Sequence, residues 1–207
     1  MSSSSDFYPH QDMPLLVVIS GPSGVGKDSV LHSMKKRGVP FHFVVTATTR
    51  PPRPDEVHGV DYIFVSQSEF TRMIETGELL EYARVYDDYK GIPKDQVRQA
   101  LATHRDVVLR VDVQGAETIR KLCPEAVLIF LTVEDEAEMA KRLQKRHTES
   151  EESVRLRIVT ARKELQRIQD FDYVIVNREA RLDETVDKIL AIMQAEHLRV
   201  TPRKVTL

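Results

Sequence analysis

Residues 15–29, LLVVISGPSGVGKDS, decide the fold. The first five are apolar and mostly β-branched, which is typical of a strand buried on both faces of a parallel sheet. A glycine-rich loop, Gly21-Pro-Ser-Gly-Val-Gly-Lys27, follows at once, and a helical pattern begins at Ser29. Strand, glycine loop and helix in direct succession are the context in which such a loop binds phosphate.

The chemistry of the loop supports this interpretation. Its glycines let backbone amides turn inward at a helix N-terminus, and Lys27 adds a compact positive charge for a transferred phosphate. The alternative is a plain glycine-rich connection with a solvated lysine.

One position departs from the usual phosphate loop, because Asp28 stands where a hydroxyl residue normally binds Mg²⁺. The hydroxyl of Ser29 comes one place late. Asp28 is a candidate ligand for Mg²⁺, directly or through water, since carboxylate oxygen suits this hard cation. It could instead only cap the following helix.

The rest of the chain alternates strands and helices. Further apolar stretches at 107–111, 127–133 and 173–176 predict buried strands. Predicted helices cover residues 29–37, 114–122, 134–145, 151–169 and 182–195. This alternation predicts an α/β fold with a mainly parallel sheet.

Two regions break the alternation. Residues 48–101 combine a rigid Arg50-Pro-Pro-Arg-Pro54 turn, short aromatic strands and a capping box from Ser66 to Glu69, which indicates an inserted subdomain. The highly charged segment 142–157 is predicted to project as a lid.

Composition limits the function. The chain has 207 residues and a formal net charge of -2, so a dedicated nucleic-acid binder is not expected. The apolar stretch 14–19 is too short to span a membrane. The single cysteine, Cys123, cannot form an intramolecular disulfide. Residues 1–13 are Ser-rich and are expected to be a flexible tail without signal character.

From Val17 to about Ala195 the chain resembles the guanylate kinases. The resemblance rests on five segments, namely Ser20-Gly-Pro-Ser-Gly-Val-Gly-Lys27, Thr48-Thr-Arg-Pro-Pro-Arg53, Glu56-Val-His-Gly-Val-Asp-Tyr62, Val111-Asp-Val-Gln-Gly115 and a lid segment starting at Lys141-Arg-Leu. It implies transfer of the γ-phosphoryl group of ATP to GMP, and to dGMP, with Mg²⁺ as the required ion. The implied fold is a P-loop three-layer sandwich with an inserted GMP-binding subdomain and a mobile helical lid.

The resemblance also implies domain limits. A guanylate kinase-like domain covers 14–207, with a core of 14–47, 102–140 and 170–207, a GMP-binding insert of 48–101 and a lid of 141–169.

The resemblance implies a clamp for the GMP phosphate. Arg50 and Arg53 on a proline-stiffened loop suit a phosphate oxyanion, because guanidinium forks match its geometry. Tyr62 matches a tyrosine that donates to the same phosphate, although it could be an ordinary core tyrosine on a strand.

Guanine recognition is expected from carboxylates, since guanine offers adjacent N1–H and N2–H donors. Glu81 and Asp112 match the accepting positions, and Thr46 matches the residue at the O6 side. Adenine would leave these acceptors unpaired. The alternative for Glu81 is an exposed strand residue.

The resemblance also implies the residues that bind ATP, the phosphoryl donor. The resemblance assigns ATP contacts to Asn177 and to the loop residues Gly21, Pro22, Ser23, Gly24, Val25, Gly26, Lys27, Asp28 and Ser29. It assigns catalysis to Lys27 and to three lid arginines, Arg142, Arg146 and Arg157, which would neutralise phosphate charge. Each arginine could instead be a solvated helix charge, and Asn177 a turn former.

Three further positions depart from the family pattern. Lys90 stands where a tyrosine is usual and Ile92 where a hydroxyl is usual, so Lys90 is predicted to hold the GMP phosphate as a point charge. Arg110 replaces an acidic residue. Because Asp28 is an acid in place of a hydroxyl, we predict that Asp28 and Arg110 form an ion pair and that Asp28 takes over part of the magnesium contact.

These departures also occur in the plastid and mitochondrial guanylate kinases of plants, so a plastid or mitochondrial location is expected, with a cytoplasmic one as the alternative. ATP and GMP are the expected partners of a monomer or weak dimer, without nucleic acid or membrane. The rival functions are a catalytically inactive guanylate kinase-like binding module and a kinase for AMP or UMP.

Overall fold

Two β-sheets organise the chain in the computed structural model, which describes residues 13–85, 87–144 and 151–207. The strands are β1 (Leu16–Ser20), β2 (His42–Phe43), β3 (Ala47–Thr48), β4 (Ile63–Phe64), β5 (Leu79–Val85), β6 (Asp88–Pro93), β7 (Val107–Arg110), β8 (Val127–Thr132) and β9 (Tyr173–Val176). The helices are α1 (Lys27–Lys36), α2 (Gln67–Glu75), α3 (Lys94–Ala102), α4 (Val113–Leu122), α5 (Glu136–Gln144), α6 (Glu151–Leu165) and α7 (Leu182–His197).

The large sheet is parallel throughout, with the strand order β2-β7-β1-β8-β9. Strand β1 lies at its centre and is fully buried, as its continuous apolar sequence predicts. Val17 and Ile19 belong to one core cluster and Leu16 and Val18 to the other, because alternate side chains of a strand point to opposite faces. The predicted α/β class is confirmed.

Helix α1 begins at Lys27, two residues earlier than predicted. Gly26 has a left-handed φ of 94°, so the glycine itself turns the chain and the helix starts directly after it. Helix α5 begins at Glu136, later than predicted, because the carboxylate of Asp135 accepts a hydrogen bond from the Glu138 amide and caps the first turn.

Helix α6 ends at Leu165, where the sequence predicted a helix to 169. A 3-10 turn, Ile168–Asp170, follows it. The chain leaves the helix there and places Phe171 edge-on against Phe130, with ring centroids 4.9 Å apart. Packing of this ring against Phe130 requires the chain to leave the helix, so the helix ends before residue 169.

The region predicted to be an insert carries the small sheet, with the strand order β4-β3-β6-β5. It has its own apolar cluster, which includes Phe70 and Leu79. Only half of the predicted capping box forms: the Ser66 hydroxyl accepts from the Glu69 amide at 3.1 Å, while the Glu69 carboxylate binds Arg72 instead. The exact limits of the insert and of the lid stay predictions.

The C-terminal segment returns to the large sheet. The Tyr173 hydroxyl donates to the Glu196 carboxylate at 2.6 Å, and Arg203 donates to the same carboxylate at 2.8 Å.

Cys123 is buried. Across the described ranges, no helix is both long and apolar enough to cross a bilayer.

Candidate active site

A cavity of about 330 Å³ lies between the carboxyl ends of β1 and β7 and the small sheet. Ligands of open α/β sheets bind at this edge, because the loops that follow neighbouring strands diverge there. The predicted site residues that line it are Gly21, Ser23, Gly24, Gly26, Lys27, Asp28, Thr46, Arg50, Arg53, Tyr62, Glu81, Lys90, Asp112 and Arg157.

The phosphate loop forms one end of the cavity. The Lys27 ammonium donates hydrogen bonds to the carbonyl oxygens of Gly21 at 2.5 Å and of Pro22 at 3.0 Å. Burial, with the neighbouring Lys90 charge, lowers the pKa of Lys27 to about 8. A bound phosphate would supply an anionic acceptor in place of these neutral carbonyl oxygens.

The predicted adenine contact, Asn177, lies behind the loop. Its amide Nδ2 donates to the Val25 carbonyl at 2.8 Å, and its Oδ1 accepts from the Thr185 hydroxyl at 3.0 Å. Arg142 donates to the carbonyl of Asn177 at 2.9 Å. Both side chains therefore support the loop through contacts outside the cavity lining, a use that the sequence did not predict, and their contacts to ATP stay predictions.

Three other predicted ATP-site residues also lie outside the cavity lining. Val25 is buried in the core, Pro22 contributes its carbonyl to Lys27, and Ser29 is exposed on α1. Their predicted contacts to ATP stay predictions.

Helix α6, which lies in the segment predicted to be a lid, contacts the loop through Arg157, whose Nη1 donates to the Ser23 hydroxyl at 2.8 Å. One and two turns further along, α6 brings Thr160 and Glu164 to the cavity wall. Burial raises the pKa of Glu164. The remaining predicted lid arginine, Arg146, lies outside the described residues.

The predicted phosphate clamp lies at the other end of the cavity. Arg50 forms a two-bond fork with the Glu56 carboxylate, at 2.6 and 2.5 Å, and Arg53 lies 3.7 Å from the same carboxylate. Although burial opposes its ionisation, the Arg50 bonds hold the pKa of Glu56 below its usual value. The Arg50 guanidinium also lies 4.6 Å from the centre of the buried Tyr62 ring.

A pair of carboxylates lies beside the small sheet. Glu81 on β5 is only 5% exposed, and its Oε2 has no hydrogen-bond partner among the described residues. Burial, and then the neighbouring Asp112, raise the pKa of Glu81 to about 8. Asp112 caps α4 by accepting from the Gly115 amide at 2.9 Å, and Thr46 donates to the Arg110 carbonyl at 3.4 Å. The structure thus excludes an exposed position for Glu81.

Three of the residues that depart from the family pattern, Asp28, Lys90 and Arg110, also line the cavity. The Lys90 ammonium lies 5.9 Å from the centre of the Tyr62 ring, and burial lowers the pKa of Lys90. Arg110 and Asp28 form the predicted ion pair, with Nη1 and Oδ1 2.6 Å apart.

Sequence reasoning missed two acids in this region. Glu56 was part of a recognised motif, but its spacing did not show that it would bind both arginines. Glu164 lies in a helix of alternating charges, and no local pattern distinguishes it from its exposed neighbours. The sequence did contain one indication for Glu164. It lies seven residues, or two helical turns, after Arg157 and therefore on the same face of the helix.

The buried parallel sheet, the loop with its lysine, and a cavity with phosphate-binding cations define a P-loop kinase. The guanylate kinase family model matches residues 13–196. The chain is 50% identical over 195 residues to Guanylate kinase 2, chloroplastic/mitochondrial, from Oryza sativa subsp. japonica, covering 94% of this chain and 68% of that protein. It is 44% identical to the guanylate kinase of Latilactobacillus sakei, covering 90% and 91% of the two chains.

A solved structure agrees with the sequence comparisons. The guanylate kinase of Anaplasma phagocytophilum matches with a TM-score of 0.76 at 26% identity, over 91% of this chain and 88% of that one. The chain therefore belongs to the guanylate kinase family and is an enzyme of the ATP:GMP phosphotransferase class.

Proposed function

We propose that the cavity described above carries phosphoryl transfer from ATP to GMP and to dGMP. The observation that supports this most directly is Glu81, a buried carboxyl group with an oxygen that lacks a partner in the described chain. A buried acceptor of this kind is costly unless a ligand supplies a donor. Guanine supplies two.

The GMP phosphate binds Arg50 by replacing the Glu56 carboxylate. The Glu56 carboxylate occupies the guanidinium fork of Arg50, and a phosphate presents the same pair of oxygens with greater charge. GMP phosphate thus takes Arg50 from Glu56, while Arg53, Tyr62 and Lys90 add further donors.

The base is recognised at the other wall of the cavity. Glu81 and Asp112 accept from guanine N1–H and N2–H, and Thr46 faces O6. All the assigned contacts are to phosphate or base, and none depends on the ribose 2′-hydroxyl. For this reason dGMP is proposed as a second acceptor.

Transfer itself needs alignment and stabilisation of charge more than covalent chemistry. Lys27 and the loop amides hold the donor phosphates, and Arg157 reaches them from the lid. Arg142 fixes the loop from behind through the Asn177 carbonyl, and Arg146 is proposed to complete the lid charge. Closure of the lid excludes water that would otherwise hydrolyse ATP.

The oxygen donors at the phosphate loop fit Mg²⁺, because this ion is commonly bound through one or two carboxylates and the substrate phosphates. Asp28 would hold it, directly or through water, since carboxylate oxygen suits this hard cation. When bound, Mg²⁺ neutralises charge on the donor phosphates.

A coupled assay of ADP release with Mg-ATP tests the proposal, with GMP, dGMP, AMP and UMP as acceptors. We expect turnover with both guanine nucleotides and at least about 10⁴-fold lower kcat/KM with AMP, because adenine leaves buried acceptors unpaired. Turnover with AMP or UMP would contradict the assignment of the base site. Binding of GMP without any turnover would favour the inactive binding module.

A matched pair of lysine variants controls the assay. Lys27→Met is expected to abolish turnover, whereas Lys121→Met, at an exposed lysine paired with Glu117 on α4, is expected to retain it. Loss of turnover in both variants would show that the assay reports stability and not the site.

A plastid or mitochondrial location is proposed from the 50% identity to the rice protein whose name states these compartments. A fluorescent fusion of the complete gene product, imaged in its own cell type, tests it. A purely cytoplasmic signal would contradict the proposal.

A further inference from the structure

Arg110 lies where the two sheets face each other. It is the last residue of β7 and pairs in register with Ile19, the residue before the end of β1. Its side chain is only 11% exposed and lines the cavity. A guanidinium group that is largely withdrawn from water must find its hydrogen bonds inside the protein.

On the donor side, Arg110 binds the residue that follows the phosphate-loop lysine. Nη1 of Arg110 donates to Oδ1 of Asp28 at 2.6 Å. Asp28 lies in the first turn of α1, so this bond holds the start of the helix whose N-terminus faces the donor phosphates.

On the acceptor side, Arg110 binds the loop that leads into the small sheet. Nη2 of Arg110 donates to the Asp61 carbonyl at 2.8 Å, and the guanidinium carbon lies 4.1 Å from the centre of the Tyr62 ring. The bond and the cation–π contact together fix the tyrosine proposed to donate to the GMP phosphate.

We propose that Arg110 is a positioning residue that fixes the donor-phosphate loop against the acceptor-phosphate loop through Asp28 on one side and Asp61 and Tyr62 on the other. The inference rests on the proposed function. A planar guanidinium can make two divergent hydrogen bonds and a stacking contact at the same time, which a lysine ammonium cannot. The contact matters because a misplacement of about 1 Å between reacting groups can cost about 10²-fold in rate.

The test compares Arg110→Met, Arg110→Lys and the double variant Asp28→Asn/Arg110→Met. Arg110→Met is expected to lower kcat for GMP by about tenfold to hundredfold, with a much smaller change in the KM for ATP. Arg110→Lys keeps the charge but loses the geometry, so it is expected to recover only part of the rate. The double variant is expected to be slower than Arg110→Met by less than the loss that Asp28→Asn causes alone, because the two changes break one shared contact while Asp28 is also the proposed Mg²⁺ ligand.

Arg120→Met is the matched control. Arg120 also joins separate elements, with a 2.8 Å bond to Asp172 and further bonds to the carbonyls of Pro124 and Ala126, but it lies outside this cavity. We expect it to lower Tm and to leave kcat within about twofold of the wild type. An equal loss of kcat in Arg120→Met and Arg110→Met would overturn the proposal, because general destabilisation would then explain both.

A second measurement does not require turnover. The affinity for GMP, measured by calorimetry with a non-hydrolysable ATP analogue present, is expected to be about tenfold weaker in Arg110→Met and unchanged in Arg120→Met. Unchanged GMP affinity and kcat in Arg110→Met, or full rescue of both by Arg110→Lys, would overturn the positioning role. Failure of the wild type to use GMP would instead contradict the proposed function, and the affinity comparison would still decide the role of Arg110.

Discussion

Glu81 is a carboxyl group in surroundings that disfavour its charge. Its pKa is raised to about 8 by burial and by Asp112, and one of its oxygens lacks a hydrogen-bond partner in the described chain. Such an arrangement destabilises the empty protein and leaves hydrogen-bonding capacity for a ligand. At the scale of single residues, this is the strongest evidence for a site that recognises a nucleotide base through the hydrogen-bond donors that the base presents.

Replacement of Glu81 by glutamine tests that selection. Glu81→Gln keeps the shape but replaces one carboxyl oxygen by an amide N–H donor that faces the donors of guanine, so kcat/KM for GMP is expected to fall about tenfold to hundredfold. The weak activity with AMP should be unchanged. Steady-state assays measure both, with Glu117→Gln on the exposed face of α4 as the control. An equal loss for both acceptors would contradict base selection by Glu81.

The same variant makes a prediction about pH and stability. The folded protein holds a proton on Glu81 up to about pH 8, whereas the unfolded chain loses it near the ordinary value of 4.5. The wild type therefore loses stability from this group as pH rises from 4.5 to 8, because the folded state binds the extra proton. Glu81→Gln does not carry this penalty.

We thus expect Glu81→Gln to gain stability over the wild type by an amount that grows with pH, reaching on the order of a few kcal/mol at pH 8. Urea unfolding of both proteins at pH 5 and pH 8 measures it. A stability difference that is the same at both values of pH would show that Glu81 is not held protonated.

At the scale of elements, the first turn of α4 and strand β5 are fitted closely together. Gly115 in α4 is held by the cap from Asp112, and a Cβ atom at Gly115 would lie 2.7 Å from Oε2 of Glu81. Glycine is therefore required at this helical position by the carboxyl group beside it.

Gly115→Ala should accordingly weaken the site even though alanine favours a helix by roughly 0.5–1 kcal/mol. The added methyl displaces the Glu81 carboxyl, so we expect the Kd for GMP to rise about tenfold or more while ATP binding is unaffected. Calorimetry measures both affinities. Thr118→Ala, one turn further along the exposed face of α4, is the control, and equal GMP affinities in the two variants would contradict the argument.

The accuracy of the sequence predictions also varied by element. Strand β9 was predicted to the residue, and β1, β7 and β8 to within one, because continuous apolar runs leave little choice of boundary. The end of α6 was missed because it depends on a contact between Phe171 and Phe130 that is distant in sequence. Motif matching placed Glu81 and Arg50 at the cavity wall, but it could not show that Asn177 supports the loop from behind, since that depends on packing between β9, α7 and α1.

At the scale of the whole molecule, the C-terminal segment is fastened to the large sheet by a buried charge pair. The Glu196 side chain is only 1% exposed and receives bonds from Arg203 and Tyr173. Despite its burial, these bonds hold the pKa of Glu196 below its usual value. The pair lies outside the lining of the active-site cavity.

Arg203→Ala should therefore affect stability and not chemistry. Removal of Arg203 leaves the buried carboxylate with only the Tyr173 hydroxyl and the more distant Arg199, whose Nε lies 3.6 Å away, and such a loss costs at most about 3 kcal/mol. Urea unfolding is expected to show this loss, while kcat and KM for GMP stay within about twofold of the wild type. An unchanged unfolding midpoint would show that the pair contributes nothing, and a large fall in kcat would connect this segment to the active site.

The central position of β1 has a consequence for synthesis of the chain on the ribosome. Strand β1 emerges well before its hydrogen-bonding neighbours, which begin only at Val107 and Val127. Until both have emerged, a strand that is apolar except for Ser20 has unpaired edges, and nascent chains in that state are prone to aggregate or to bind chaperones. The phosphate loop is thus translated well before the two strands that flank β1 in the sheet.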